Sequence, residues 1–301
     1  MSGDIVALVS YMTQILLAMI VLANLVVLLS RGSASASRIN AVFEIEPSVK
    51  EHNLNEIQTD EIAPKVEFKD VTFSYGGGDS ELENISFKIE RGTFTGIIGT
   101  TGAGKSTLLS LIMRYYDTSG GEVLVDGRNV KDFPFSQLRG KIGVVPQKST
   151  LFSGTIRENM LWQTPNASDD EIFRALKTAQ ADFIDDLDKY VSQGGLNFSG
   201  GQRQRLCIAR AIVGSPELVI LDDSFSALDF ATEKKLREEL LKNKGTTYIV
   251  VTQRCSTIMN ADKILVLEDG RLEGEGTHKE LINNCGAYRE ICLSQLKEVE
   301  L

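Results

Sequence analysis

One eight-residue stretch restricts this chain more than any other: Gly99-Thr100-Thr101-Gly102-Ala103-Gly104-Lys105-Ser106, followed by Thr107. An apolar run holding Phe94, Ile97 and Ile98 leads into it, and Leu108, Leu109, Leu111 and Ile112 follow at helical spacing. Strand, glycine loop and helix in that order form a phosphate cradle. The glycines let backbone N–H groups turn toward phosphate oxygens, Lys105 adds a point charge for the β- and γ-phosphates, and Ser106 offers a hydroxyl to Mg²⁺. The helix that starts there points its positive end at the same anion. The plainer alternative is a glycine-rich turn with an incidental Lys-Ser pair, and the completeness of the spacing argues against it.

With 301 residues the chain can build one large domain or two smaller ones, each with a real core. A net charge of −9 and the lack of a basic stripe argue against a nucleic-acid surface, because phosphate backbones demand clustered Lys and Arg. The four cysteines (Cys207, Cys255, Cys285, Cys292) are scattered without a Cys-x-x-Cys pair, and the chain has only His52 and His278. They read as buried, reduced thiols of a cytosolic domain, and no structural metal site is expected.

Ile5 to Ser30 carries no charged residue. At about 1.5 Å per residue this stretch makes roughly 39 Å of helix, enough for a tilted membrane span. A secretory signal is the competing reading, but the apolar run is too long and Asp4 stands where a basic residue would lead it. Arg31 and Arg38 on the trailing side place the remainder in the cytoplasm. Ser10, Thr13, Gln14 and Asn24 suit contact with other helices better than lipid, although Ser and Thr can also bond back to their own helix. Ile39, Val42 and Phe43 continue the helical spacing toward Pro47, and Ser48 to Pro64 reads as a polar, acidic linker.

Strands are expected at Val66–Phe68, Val71–Phe73, Ile85–Ile89, Glu122–Val125, Ile142–Val145, Leu218–Leu221, Tyr248–Val251 and Ile264–Leu267, with Asp126-Gly127 and Asp269-Gly270 as hairpin turns. Gln147 to Ser199 reads as a helical insertion, with a capping box at Ser168–Glu171. A second box, Ser199-Gly200-Gly201-Gln202, opens a helix, yet its two glycines cost roughly 1 kcal/mol each against alanine. Close approach of a phosphate would account for them. Asp222 and Asp223 end an apolar strand where open α/β sheets place ligands, the first suited to Mg²⁺ and the second to an attacking water. A third box, Thr277–Glu280, opens the terminal helices.

These pieces together resemble the ATP-binding cassette of an ABC transporter of exporter type. The phosphate loop, Ser199–Gln202, the strand ending in Asp222-Asp223, and Ser226-Ala227-Leu228-Asp229 stand in the family's order. Val145-Pro146-Gln147 running to Leu151–Asn159, and the closing Glu275–Leu281, carry the exporter character. The resemblance implies an α/β P-loop NTPase (ABC ATPase) with a RecA-like core, an antiparallel β-subdomain and a helical subdomain, preceded by one transmembrane helix. It divides the chain into 1–46, a membrane helix with a cytoplasmic extension; 47–64, a linker; and 65–301, the cassette. ATP and Mg²⁺ are the implied cofactors: Tyr75 stacks on adenine, Gly99 to Thr107 hold phosphates, and Ser106, Gln147 and Asp222 hold the metal. In the family two cassettes close head to tail, so Ser199, Gly200, Gly201 and Gln202 would serve the partner's nucleotide, with Asp229 at the seam.

Two residues depart from the family pattern. Asp223 stands for the usual catalytic Glu, one methylene shorter, and Gln253 stands for the switch His. A misplaced base costs on the order of 100-fold, and Gln donates a hydrogen bond but takes up no proton. The expectation is an ATPase whose own site turns over slowly, with Asp223, Gln253 and Gln147 as its catalytic set, and whose signature completes a competent site on a second half-transporter in a heterodimer at the cell membrane. Only the last of the family's six membrane helices is recognisable, so the chain is expected to be a fragment whose missing helices are further partners. Rival readings are an ATP-gated regulatory or scaffold subunit, a non-functional truncated fragment, and a soluble ABC ATPase of DNA repair or translation. The apolar span and the acidic charge weigh against the last.

Overall fold

The computed structural model describes residues 2–51 and 55–295 and divides the chain into two compact units, 1–50 and 51–301. His52 with the rest of 52–54, inside the expected linker, and the end of the expected cassette at 296–301 lie outside the described residues. The first unit is one helix, α1 (Ser2–Phe43). Apolar side chains surround it and none is buried, and the helix is long and apolar enough to cross a membrane. Thr13 donates to the Val9 carbonyl at 2.9 Å, which satisfies one of its polar groups within the helix itself.

The second unit runs β1 (Val66–Phe73), β2 (Leu82–Ile89), β3 (Phe94–Gly99), α2 (Lys105–Ile112), β4 (Gly120–Val125), β5 (Arg128–Asn129), α3 (Phe135–Gly140) and β6 (Ile142–Val145). It continues with β7 (Gly154–Thr155), α4 (Ile156–Met160), α5 (Asp169–Thr178), β8 (Tyr190–Val191), α6 (Gly200–Ile212) and β9 (Leu218–Asp222). Then follow α7 (Phe230–Leu241), β10 (Thr247–Val251), α8 (Cys255–Ile258), β11 (Lys263–Glu268), β12 (Arg271–Gly276), α9 (His278–Asn284) and α10 (Gly286–Gln295).

The central sheet has the order β12-β11-β3-β10-β9-β6, parallel except for the β11–β12 hairpin. Its strands are apolar on both sides because both faces are covered. Ile98, Val219, Leu221, Val250 and Val266 belong to one core with α5, α6 and α10. The alternate residues Ile97, Ile220, Ile249, Val251 and Leu265 belong to another with α2 and the antiparallel sheet β2-β1-β4-β5. The expected breaks also appear: Asp126-Gly127 and Asp269-Gly270 take positive φ and turn their hairpins. The two short strand expectations at Val66 and Val71 are one strand with an irregularity, where Asp70 takes a φ of 48°.

The insertion after Gln147 is not wholly helical, in contrast to its sequence pattern. Gly154-Thr155 pairs antiparallel with Tyr190-Val191, a ribbon too short to show periodicity. Thr155 then caps α4 through a reciprocal box with Glu158.

One ion cluster ties the two sheets at their base. Lys65 Nζ bonds Asp126 at 2.9 Å and Glu217 at 2.6 Å, and Lys141 bonds the other Asp126 oxygen at 2.9 Å. Lys65 and Asp126 are buried, so each compensates the other's lost hydration.

Candidate functional site

Parallel pairing brings three strand ends together. Val251 of β10 lies opposite Ile97 of β3 on one side and opposite Asp222 of β9 on the other. The chain leaving each strand therefore enters one cleft, lined by Thr101, Gly102, Gly104, Lys105, Ser106, Thr107, Gln147, Asp222, Asp223 and Gln253. Glu81 and Thr252 also line it, and neither was singled out by the sequence pattern.

The loop geometry explains its glycines. Gly102 and Gly104 take φ of 87° and 89°, where L side chains are strained. Gly99 is pressed against β11, and a Cβ there would stand 2.1 Å from the Leu267 carbonyl oxygen. Gly104 caps α2 without a side chain, which leaves the first-turn amides to an anion. Lys105 Nζ donates to the Gly99 and Thr100 carbonyls at 2.9 and 2.6 Å, and Ala103 is buried beneath the loop.

The charges at the cleft are mutually dependent. Burial pushes the Lys105 ammonium down, and Asp222 and Asp223 oppose that shift. Burial raises Asp222, to which the Asp223 charge adds, while Ser106 and Lys105 counteract. Burial also raises Asp223, against Arg254, Ser226 and Lys105. Two carboxyls held above their ordinary range beside a hydroxyl and an amide oxygen form an oxygen donor set that fits Mg²⁺, whose charge would reverse the shift. The site residues thus fit a magnesium nucleotide: Ser106, Asp222 and Gln147 would hold the ion and Lys105 with the loop amides the phosphates.

Tyr75 does not line this cleft. Its hydroxyl lies 3.2 Å from Thr107 Oγ1, its ring meets Phe73 and Tyr116 edge-on, and 43% of it is exposed, so it stands beside the loop with a ring surface open. Ser199 to Gln202 and Asp229 are likewise outside it. Ser199 Oγ accepts from the Gln202 amide at 3.3 Å, and Gln202 Oε1 accepts from the Ser199 amide at 2.9 Å. Asp229 caps α7 through Thr232. Gly201 is fixed from within, since a Cβ would come 3.0 Å from the Ala227 carbonyl oxygen; at Gly200 it would meet only Ala227 Cβ at 3.6 Å. Among the described residues no close contact requires the first of these glycines.

Two residues that tie the loop after β9 to its neighbours escaped the sequence pattern. Arg254 Nη2 donates to the Ser226 carbonyl at 2.8 Å, and Gln204 bonds Ser226 and Ala227. Their adjacency to Gln253 and Gln202 was the available signal. The cysteines bring a correction: Cys207 and Cys285 are free and buried, but Cys255 and Cys292 are joined in a disulfide. The two meet because α8 and α10 pack together, a contact between residues 37 positions apart that spacing does not reveal.

Such a sheet, with a glycine phosphate loop and a paired-Asp strand end at its carboxyl edge, defines an ABC-type ATPase on the P-loop fold. Residues 82–226, the stretch that holds the phosphate loop and the Asp222-Asp223 strand end, match the ABC transporter family model. An ABC transporter ATP-binding protein of Mycobacterium tuberculosis is 42% identical over 301 residues, which cover 97% of this chain and 52% of the relative. A multidrug export ATP-binding/permease protein of Staphylococcus aureus is 43% identical over 234 residues, 75% of this chain and 40% of the relative. The solved structure of a bacterial Atm1-family ABC exporter with ATP bound superposes with a TM-score of 0.83 at 33% identity, covering 89% of this chain and 48% of that one. The chain spans about half the length of these relatives. ATP hydrolysis coupled to transport is the general activity of the family.

Proposed function

We propose that this chain is the ATP-binding part of a membrane exporter subunit, holding Mg²⁺-ATP on its own loop while its Ser199–Gln202 segment completes a faster site on a different half-transporter. The observation that carries the reading is that Asp223 and Gln253 line the same cleft as Lys105, Ser106 and Asp222. Binding groups are whole and the water-activating pair is altered. When bound, Mg²⁺-ATP supplies the phosphoanhydride and the cation that neutralises it. Lys105, Ser106, Gln147 and Asp222 bind and orient; Asp223 is the base; Gln253 donates to a phosphate oxygen and holds no proton. Burial raises Asp223, which favours a base, so its deficit is reach rather than basicity. Gly200, unconstrained within its own chain, supports a role for the signature at a partner's nucleotide, with Asp229 at the seam, and Tyr75 offers its open ring to adenine. The apolar α1 supports a membrane location with the ATPase unit in the cytoplasm.

The test is ATP turnover by the full chain alone, with a half-transporter carrying Glu and His at these positions, and as Asp223→Glu/Gln253→His. Slow turnover alone, acceleration by the partner and a faster double variant are expected. Rapid turnover of the unaltered chain, unchanged in the double variant, would sink the proposal. The same pair, Asp223 and Gln253, also favours an ATP-gated regulatory subunit; binding of both ATP and the partner without any gain in turnover selects that reading.

A further inference from the structure

The Cys255–Cys292 bond lies outside the chemistry described so far, yet it touches the loop that carries Gln253. Cys255 opens α8 two positions after Gln253, and Cys292 sits on α10. From the same helix Gln295 Nε2 donates to the Gln253 carbonyl at 2.6 Å, and Gln295 Oε1 accepts from the Cys255 amide at 2.9 Å. The switch loop is thus fastened to α10 by two hydrogen bonds and one covalent bond.

The surroundings are those of a reactive pair. Tyr288 Oη lies 3.4 Å from Cys255 Sγ and 2.8 Å from His278 Nδ1. A ring nitrogen of His278 and both sulfurs lie within 4.8 Å of one another, and His278 Nε2 is buried with no hydrogen-bond partner among the described residues. Tyr288 Oη can relay a proton between the imidazole and a departing or arriving Cys255 thiolate, being within reach of both. A buried disulfide on the cytoplasmic side of a membrane is also chemically out of place as a permanent staple, because cytosolic dithiols reduce such bonds.

We propose that Cys255 and Cys292 form a reversible thiol–disulfide lock between α10 and the switch loop, with a cytosolic dithiol as its reductant. One thiolate of the dithiol attacks a sulfur of the pair, the S–S bond breaks, and the other sulfur leaves as a thiolate. The reductant's second thiolate then displaces the first sulfur and the reductant departs as its own disulfide. The protein gains two electrons and two protons and ends with two thiols. Both sulfurs are fully buried, so exchange requires α10 to lift and is slow. Reduction leaves the loop tied to α10 by the two Gln295 hydrogen bonds alone; the choice of a cytosolic reductant and the consequence for turnover rest on the location and the Gln253 role proposed above, whereas the covalent tie itself does not.

The full chain in lipid nanodiscs is equilibrated across dithiothreitol redox buffers, acid-quenched, alkylated with iodoacetamide in denaturant so that the buried thiols are reached, and mapped by peptide mass. Cys255 and Cys292 are expected to change together in one two-electron step while Cys207 and Cys285 stay alkylatable as thiols. Amide hydrogen exchange over residues 252–258 is expected to quicken severalfold on reduction, and Cys292→Ser is expected to exchange at the reduced rate in every buffer. Neither readout involves ATP turnover. Thiols at all potentials, a stoichiometric zinc ion bound to the reduced pair with His278, or identical exchange in the two states of the unaltered chain would each overturn the lock.

Discussion

Ser106 Oγ donates to an Asp222 carboxylate oxygen across 3.1 Å, which joins the first turn of α2 to the end of β9. Burial raises Asp222, and Asp223 adds to that. An acid whose pKa is higher folded than unfolded binds more protons in the folded state, so its contribution to stability falls as pH rises through that interval. Asp222→Asn is therefore expected to raise the melting temperature of the nucleotide-free chain at neutral pH. The further stabilisation that Mg²⁺-ATP gives should shrink, because one metal-facing oxygen has lost its charge. Thermal melts with and without Mg²⁺-ATP check both halves; a less stable variant that keeps the full nucleotide shift contradicts the assignment.

Gln204 reaches from α6 to the loop after β9, accepting from the Ala227 amide at 3.0 Å and donating to Ser226 Oγ at 3.1 Å. Its side chain is buried, so truncation leaves loop groups that water only partly reaches. Gln204→Ala is expected to cost roughly 1–2 kcal/mol in stability. The urea midpoint should fall at unchanged slope. Under the proposed function, partner-dependent ATP turnover should drop further than stability alone explains, since the segment ending at Asp229 loses its anchor.

Much of this architecture could be read before any coordinates, and the physical reason is local. The strands of the central sheet are continuous apolar runs because both faces are covered, and the boxes at Ser168, Ser199 and Thr277 close within three residues of their caps. The phosphate loop was legible for the same reason: its strand, glycines and helix are consecutive. What sequence did not show are contacts between distant positions. Lys65 meets Asp126 across 61 positions, Cys255 meets Cys292 across 37, and Arg254 reaches Ser226 across 28. Each depends on the packing of whole elements, to which no spacing rule applies. The β7–β8 ribbon, two residues on each side, is shorter than any periodicity can register.

The Asp126 cluster has a definite pH signature. Burial by itself would raise the Asp126 carboxyl; hydrogen bonds and charge from Lys65 and Lys141 outweigh it and hold the group below its ordinary range. Glu217 is lowered against burial by the same two lysines. Acids lowered in the folded state contribute stability that is present above their unfolded pKa and lost as pH falls through the folded value. The chain should therefore keep this contribution down to about pH 4 and lose it in more acid solution. Asp126→Asn should flatten that part of the stability–pH curve. At neutral pH it is expected to cost about 3–5 kcal/mol, because Lys65 remains buried with one of its two carboxylates gone. Denaturant titrations of both proteins between pH 3 and 7 measure the two effects together.

Gly200 and Gly201 separate the structural from the functional use of glycine within one helical turn. A Cβ on Gly201 would come 3.0 Å from the Ala227 carbonyl oxygen and 3.4 Å from Leu228 Cδ2, so Gly201→Ala forces the loop after β9 outward and should lower the melting temperature. On Gly200 the nearest atom would be Ala227 Cβ at 3.6 Å, ordinary contact. Gly200→Ala should therefore fold normally and gain up to about 1 kcal/mol from helix propensity. Under the proposed function that same methyl stands where a partner's phosphate must approach the α6 N-terminus, so partner-dependent turnover should fall while ATP binding on this chain's own loop is unchanged. Melting curves, nucleotide titration and turnover with the partner distinguish the cases. A Gly200→Ala protein that is more stable and fully active would assign both glycines to packing and remove the signature from the site.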